Sequence, residues 1–317
     1  MIDKDKFFEK YNLLVITGAT AGGKTSLAAR LALELDGEIL SADSRQVYRG
    51  MDIGTGKDLD DYTIDGKNIP YHLIDIAEAG EKYNLFRYQK DFFDAYNDIL
   101  GRNKFPVMCG GTGLYIDAIV SNYNLVEVPE NKELRKQLEQ KSMDELVEML
   151  KKLKPKLHNK TDIDTKKRVI RAIEIELFIK ENPAAQTNYP KINALIFGVK
   201  YDRQAQRKRI TERLHARLEQ GMIQEVQTLL DKGISPEDLI YYGLEYKFIT
   251  LYLTGEIDYD TMVAKLNTAI HKFAKRQMTW FRHMERKGVK IHWIDGHLPL
   301  DKKLDIINYK IAKEATL

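Results

Sequence analysis

The chain has 317 residues, 43% of them hydrophobic, enough for one large or two ordinary domains around a sizeable buried core. Its single cysteine, Cys109, excludes an intrachain disulfide framework, its seven histidines show no zinc-type spacing, and no apolar run reaches the roughly 18–20 residues of a membrane span. The formal net charge is only +3, but residues 1–130 carry 14 basic and 21 acidic side chains and the remainder 36 and 26, so a polyanion met by the basic half and ordinary solvated helix faces both fit the count.

The charged start, Met1-Ile2-Asp3-Lys4-Asp5-Lys6, lacks the apolar segment of a secretory signal, and a cytoplasmic location is expected. The first element is a run of β-formers, Leu13 to Thr17, that breaks at Gly18; a helical pattern follows from Thr25 through Leu35. Between them, Gly18-Ala19-Thr20-Ala21-Gly22-Gly23-Lys24-Thr25 matches the phosphate loop G-x-x-x-x-G-K-[ST] at every fixed position. Glycines there let successive N–H groups turn inward and form an anion-binding concavity at a helix N-terminus. Lys24 adds a mobile positive charge, and the Thr25 hydroxyl is placed to reach a bound Mg²⁺. A diphosphate or triphosphate site follows from this stretch, but not the reaction it serves.

A second strand, Glu38 to Ala42, ends in Asp43-Ser44-Arg45-Gln46. Ligands of open α/β sheets sit beyond the carboxyl ends of strands, which puts Asp43 beside the phosphate loop. A turn cap, a Mg²⁺-holding carboxylate and a general base are all open to it. Arg49 to Gly56 reads as an ordered polar loop near the site, and Tyr71 to Ile76 as another strand, with His72 a structural histidine. Leu85 to Leu100 is amphipathic, with Phe86, Tyr88, Phe92, Phe93, Tyr96 and Leu100 as its core stripe. Phe105 to Cys109 reads as a buried strand ending in Gly110-Gly111-Thr112-Gly113, a second glycine turn that is either structural or a ligand contact.

From about Glu130 to Glu181 glycine disappears and apolar residues fall at helical spacing, so a helical insertion bounded by Pro129, Pro183 and Pro190 is expected. Lys166-Lys167-Arg168-Val169-Ile170-Arg171 within it is by default a solvated face, with phosphate-backbone contact as the sharper reading. Ala194 to Val199 returns to the sheet. Arg203 to Leu218 is a helix on which Arg209 and Arg213 share one face. A long helix from Tyr259 to about Arg286, with a core stripe of Met262, Leu266, Ala269, Phe273 and Trp280, and a last strand from Val289 to Trp293 complete the chain. The fold class is α/β: a parallel sheet of the phosphate-loop NTPase type flanked by helices. Residues 1–128 and 191–317 form its core, and 129–190 are a mostly helical insert.

Six segments together resemble the tRNA dimethylallyltransferase (tRNA isopentenyltransferase) family. They are Gly18 to Thr25, Ser41-Ala-Asp-Ser44 with Gln46, Met51-Asp-Ile-Gly-Thr55, Gly110-Gly-Thr-Gly-Leu-Tyr115, Lys167-Arg-Val-Ile-Arg-Ala-Ile-Glu174 and Ala274-Lys-Arg-Gln-Met-Thr-Trp-Phe-Arg282. The resemblance implies transfer of a dimethylallyl group from its diphosphate to the N6 amine of the adenosine 3′ of the anticodon, in tRNAs that read codons beginning with U. It implies that Gly18, Ala19, Thr20, Ala21, Gly22, Gly23, Lys24 and Thr25 hold the diphosphate, with Thr25 on Mg²⁺ and Arg213 steadying the same group. Asp43 then takes the proton of the attacking amine, with Ser44, Arg45, Gln46 and Thr112 beside the target nucleotide. Arg135, Lys167, Arg168, Val169, Ile170, Arg171, Tyr246, Lys247 and Arg276 are the further tRNA-binding candidates. The partners implied are the tRNA anticodon stem-loop and dimethylallyl diphosphate, with no membrane and a monomeric enzyme.

This sequence departs from the family pattern at Glu245, where a Gly-Tyr-Lys segment is usual, and at Gly22, often serine or another small side chain; the zinc-binding extension of some eukaryotic members is not expected. The alternatives are a phosphate-loop nucleotide kinase or NTPase, an RNA-binding module with a vestigial loop, and an adenylate isopentenyltransferase acting on free AMP. Against the kinase stands the lack of a clear strand ending in a second metal-binding aspartate; against AMP stands the helical insert.

Overall fold

The computed structural model describes residues 4–154, 163–183 and 189–316, so the first three residues of the charged N-terminal run lie outside it. In chain order the first half holds α1 (Lys4–Lys10), β1 (Leu13–Gly18), α2 (Lys24–Leu35), β2 (Gly37–Ser41), β3 (Thr63–Ile64), β4 (Lys67–Asn68), β5 (Tyr71–His72), α3 (Leu85–Gly101), β6 (Phe105–Gly110) and α4 (Gly113–Val120). Then come α5 (Lys132–Glu139), α6 (Met143–Leu153) and α7 (Lys166–Glu181). The remainder is β7 (Ala194–Lys200), α8 (Arg203–Glu219), α9 (Met222–Asp231), α10 (Pro236–Tyr241), α11 (Leu244–Leu253), α12 (Tyr259–Arg286), β8 (Ile291–Asp295) and α13 (Leu300–Thr316).

Six strands form one parallel sheet in the order β5-β2-β6-β1-β7-β8, while β3 and β4 pair as a separate antiparallel hairpin. Every residue of β1, β2 and β6 is buried, which is why these strands read as continuous apolar runs rather than alternating ones. Leu14, Ile16, Ile39, Val107 and Phe197 of the sheet pack with Leu27, Leu31 and Leu35 of α2 in one core. Ile16 and Thr17 stand in register with Cys109 and Gly110 at the carboxyl ends of β1 and β6, so the loops leaving both strands are neighbours.

The chain divides into two compact units, Met1–Asn122 with Lys191–Leu317, and Tyr123–Pro190. The first boundary thus falls six residues before the expected 128/129, since Val128 belongs with the helices: its carbonyl accepts a hydrogen bond from Arg171 Nη2 at 2.8 Å. The second unit is a three-helix cluster around Leu138, Leu146, Leu150, Val169, Ile170 and Ile173. Its helices are capped by Asn131, by Ser142 in a reciprocal box with Glu145, and by Thr165. No described helix is long and apolar enough to cross a membrane.

Several sequence expectations need correction. The strand expected over Tyr71–Ile76 stops at His72, because Leu73 and Asp75 adopt positive φ (66° and 56°) and turn the chain away. The last strand begins at Ile291 instead of Val289; Gly288 at φ 96° ends the helix and the Val289 amide is spent on Met284 O. On α3, Leu100 is 42% exposed and Ile99 takes the core position. The buried stripe of α12 runs through Met262, Leu266, Ile270, Ala274, Gln277, Phe281 and Met284, rotated from the expected one. Phe273 instead faces a cleft beside the phosphate loop, and Ala269 and Trp280 are only half-buried.

Candidate active site

The phosphate loop turns into α2 through Gly23 at φ 68°, a left-handed conformation that a side chain would strain. No side chain caps α2, so its first-turn amides are left for a ligand, the arrangement that suits an anion. Lys24 Nζ folds back onto Ala19 O at 2.8 Å. Burial depresses the Lys24 pKa, opposed in part by Asp43 across the cleft, so an incoming anion would restore what desolvation removes.

Three side chains from the other half of the core hold the loop in shape. Gln206 Nε2 donates to Thr20 O at 2.6 Å, Arg209 Nε to Ala21 O at 2.9 Å, and Gln277 Oε1 accepts from Thr20 N at 2.9 Å. Gln277 Nε2 also donates to Gly111 O at 2.8 Å, tying the phosphate loop to the second glycine turn.

Beyond β2, Asp43 Oδ1 accepts from Arg45 N at 2.9 Å, an Asx-type turn that fixes the carboxylate while leaving it half-buried on the cleft. Thr112 occupies the N-cap position of α4 without capping it; its Oγ1 accepts instead from Ser44 N at 3.0 Å. Ser41 Oγ donates to Gln46 Oε1 (3.2 Å) and Gln46 Nε2 to Gly56 O (3.0 Å). The Met51–Gly56 loop is held from outside by Glu225 of α9, whose carboxylate accepts from the amides of Asp52 (2.8 Å), Ile53 (2.6 Å) and Gly54 (3.0 Å). From within, the buried Lys57 ammonium donates to Tyr48 O (2.7 Å), Asp52 Oδ1 (2.6 Å) and Asp75.

One cleft of about 440 Å³ gathers these parts, lined among others by Thr20, Lys24, Thr25, Asp43, Gln46, Asp58 and Arg213. Arg213 is ion-paired with Asp58, and Asp61 beside it has its carboxyl raised by burial and by the Asp58 charge. The structure thus brings Asp43 and Gln46 together with the phosphate loop and Arg213, and sets Thr112 next to Ser44.

Other candidates fare differently. Tyr246 is buried, its hydroxyl donating to Glu225 Oε1 at 2.7 Å, so its side chain supports the Met51–Gly56 loop and is not available to RNA. Lys247 and Arg276 are exposed. In the helical unit Val169 and Ile170 are core residues, the burial that three-helix packing demands of them, and their side chains likewise offer RNA no surface. Arg135 and Arg171 both bond the buried Glu174. Burial alone would raise that carboxyl; the two arginines and the Asn131 amide outweigh it and hold it below its ordinary range. Lys167 and Arg168 are exposed, Arg168 with a loose ion pair to Asp164 at 3.4 Å.

Sequence reasoning overlooked Gln277, Lys57, Glu225 and Arg217. A polar residue at a position in phase with buried ones marks Gln277, and Arg217 continues the Arg209–Arg213 spacing by one more turn. Lys57 and Glu225 carry no such local signal.

A phosphate loop at the end of a parallel strand, facing a carboxylate at the end of the next, defines a phosphate-loop α/β protein with an anion-binding cleft. The family model described as IPP transferase matches residues 46–284, and the chain belongs to that family. It is 56% identical over 303 residues to tRNA dimethylallyltransferase 2 of Bacteroides fragilis, covering 96% of this chain and 99% of that protein. It is 59% identical over 295 residues to tRNA dimethylallyltransferase 2 of Porphyromonas gingivalis, covering 93% and 97%. Among solved structures, the tRNA isopentenylpyrophosphate transferase of Bacillus halodurans superposes with a TM-score of 0.70 at 33% identity, covering 97% of both chains.

Proposed function

We propose that this enzyme transfers a dimethylallyl group from dimethylallyl diphosphate to N6 of the adenosine 3′ of the anticodon in tRNAs reading codons that begin with U. The observation that carries this reading is the shared cleft, in which an uncapped helix N-terminus, Lys24 and Arg213 lie with the half-buried Asp43. In the reaction the allylic C–O bond breaks, the adenine nitrogen bonds to the freed carbon, and its proton passes to the Asp43 carboxylate. The electron pair leaves with the diphosphate, whose growing negative charge the loop amides, Lys24 and Arg213 stabilise. Most of the acceleration is positional, since an allylic diphosphate ionises readily once nucleophile and leaving group are aligned.

The donor set suits Mg²⁺: one hydroxyl, Thr25, on the first turn of the loop helix, with diphosphate oxygens and water to complete an oxygen shell. When bound, the ion would neutralise part of the diphosphate charge. An anticodon-loop adenine must be turned out of its stack to react, and Ser44, Arg45, Gln46 and Thr112 are proposed to receive it. Lys167 and Arg168 of the helical unit, with Lys247 and Arg276 of the core, are proposed to hold the tRNA backbone. Monomeric action in the cytoplasm completes the proposal.

The strands on either side of β1 end in Cys109-Gly110 and Val199-Lys200, and the aspartate that follows β7, Asp202, is committed to capping α8, which favours prenyl transfer over phosphoryl transfer. The test incubates the protein with labelled dimethylallyl diphosphate and unmodified tRNA, with ATP and AMP as competing substrates. Label is expected in the tRNA alone; brisk ATP hydrolysis without transfer, or label in AMP, would reject the proposal.

A further inference from the structure

Arginines 209, 213 and 217 stand one turn apart along α8, and all three line the phosphate cleft. Two have protein partners: Arg209 holds Ala21 O and Arg213 is paired with Asp58. Arg217 is half-buried, yet its guanidinium makes no hydrogen bond or ion pair with any described residue. It is also forced close to its neighbour. A β-carbon on Gly56 would lie 1.5 Å from Arg217 Nη2 and 2.9 Å from Arg213 Nη2, so both cations converge on a bare stretch of backbone. Burial depresses the Arg217 pKa, and the like charge of Arg213 beside it adds to the effect.

On the other side of Arg217 lies Glu245. With Arg217, Arg213, Thr20 and Ala21 it encloses a side cavity of about 20 Å³, room for a single water. Burial raises the Glu245 pKa while Arg217 pulls it back down, and Glu245 in turn favours the charged form of Arg217. Glu245 thus lies behind Arg217 as a nearby carboxylate, without a direct bond to it.

We propose that Arg217 is a second diphosphate-binding residue, completing with Lys24 and Arg213 the positive wall on which the leaving group is held, and that Glu245 positions it. The proposal rests on the reading of the cleft as a prenyl diphosphate site. Unlike Arg213, Arg217 has no direct ion pair to break when the diphosphate arrives. Glu245 acts only through Arg217, from behind, and does not touch substrate.

The test compares wild type with Arg217→Met, which keeps length and removes charge, with Arg217→Lys, with Glu245→Gln and with the Arg217→Met/Glu245→Gln double variant. The readouts are KM for dimethylallyl diphosphate, KM for tRNA, and inhibition by inorganic pyrophosphate. A charge-assisted hydrogen bond predicts a rise of roughly 10- to 100-fold in KM for dimethylallyl diphosphate and in the pyrophosphate inhibition constant for Arg217→Met. KM for tRNA should stay within about twofold, and Arg217→Lys should recover part of the loss. Glu245→Gln should show a smaller rise that vanishes in the Arg217→Met background, the signature of a residue acting through another. Unchanged pyrophosphate inhibition in Arg217→Met, or in Arg217→Lys should the first variant not fold, overturns the assignment of Arg217. Additive effects in the double variant overturn that of Glu245. Failure of the wild type itself to transfer label from dimethylallyl diphosphate would instead reject the underlying reading.

Discussion

Gln277 makes the most direct test of how the site is built. Its amide accepts from Thr20 N and donates to Gly111 O at 2.9 and 2.8 Å, and the side chain is only 7% exposed. Gln277→Leu keeps the volume and removes both bonds, leaving an amide and a carbonyl without partners. Each orphaned buried group costs about 1–3 kcal/mol. Water can reach the half-buried Thr20, so a total of about 2–4 kcal/mol is expected, a fall in Tm of roughly 3–6 °C for a chain of this size. Loss of the Thr20 anchor also frees the phosphate loop, and KM for dimethylallyl diphosphate should rise with KM for tRNA unchanged. Gln277→Glu separates the two bonds: it retains an acceptor for Thr20, loses the donor to Gly111, and adds a negative charge beside the diphosphate. It should therefore keep Thr20 anchored but bind pyrophosphate more weakly. Thermal melts and pyrophosphate inhibition read both effects. A Gln277→Leu protein within about 1 °C of wild type and with unaltered KM would refute the reasoning.

Asp43→Ala is expected to abolish transfer while pyrophosphate still binds, measured by calorimetry; near-normal turnover would remove Asp43 from the chemistry. Lys167→Ala with Arg168→Ala should weaken tRNA binding and flatten the slope of log K against log salt by about 1.5, since two phosphate contacts are lost. An unchanged slope would return both residues to the solvated-face reading. Glu174→Ala should loosen the helical unit by about 3 kcal/mol, because the half-buried Arg135 and Arg171 lose their shared partner; hydrogen exchange of α5 and α7 amides reports it. Glu174 also sets an acid limit. Its folded pKa is lowered, so its contribution is complete above the ordinary carboxylate range and fades as pH falls through the lowered value, a loss that Glu174→Gln should not show.

The fold was most legible where chemistry and order coincide. The phosphate loop is contiguous, so strand, glycines, lysine and helix announce themselves within fourteen residues, Asn12 to Thr25. The bounds of α12 were equally plain, with Asp258 capping its start and Gly288 just past its end. Its phase was not, because Phe273 and Trp280 look like core and yet Phe273 belongs to the cleft wall. Aromatic residues serve packing and site alike, and periodicity cannot separate the two. Val169, Ile170 and Tyr246 show the same ambiguity from the other direction: they sit in or beside motifs the family resemblance marks, but burial places their side chains in supporting roles. Lys57 and Glu225 were out of reach because their partners are set by tertiary structure, Glu225 meeting Asp52 from 173 residues away.

That last contact has a consequence for how catalysis is paced. Three successive main-chain amides would ordinarily wait for a substrate anion to organise them, but here a resident carboxylate already fills their concavity. The loop spends no conformational entropy when the ligand arrives, so affinity is not drained by folding it. The same economy makes α9 a silent partner in turnover: changes on that distant helix should reach the chemistry by letting a rigid wall go slack.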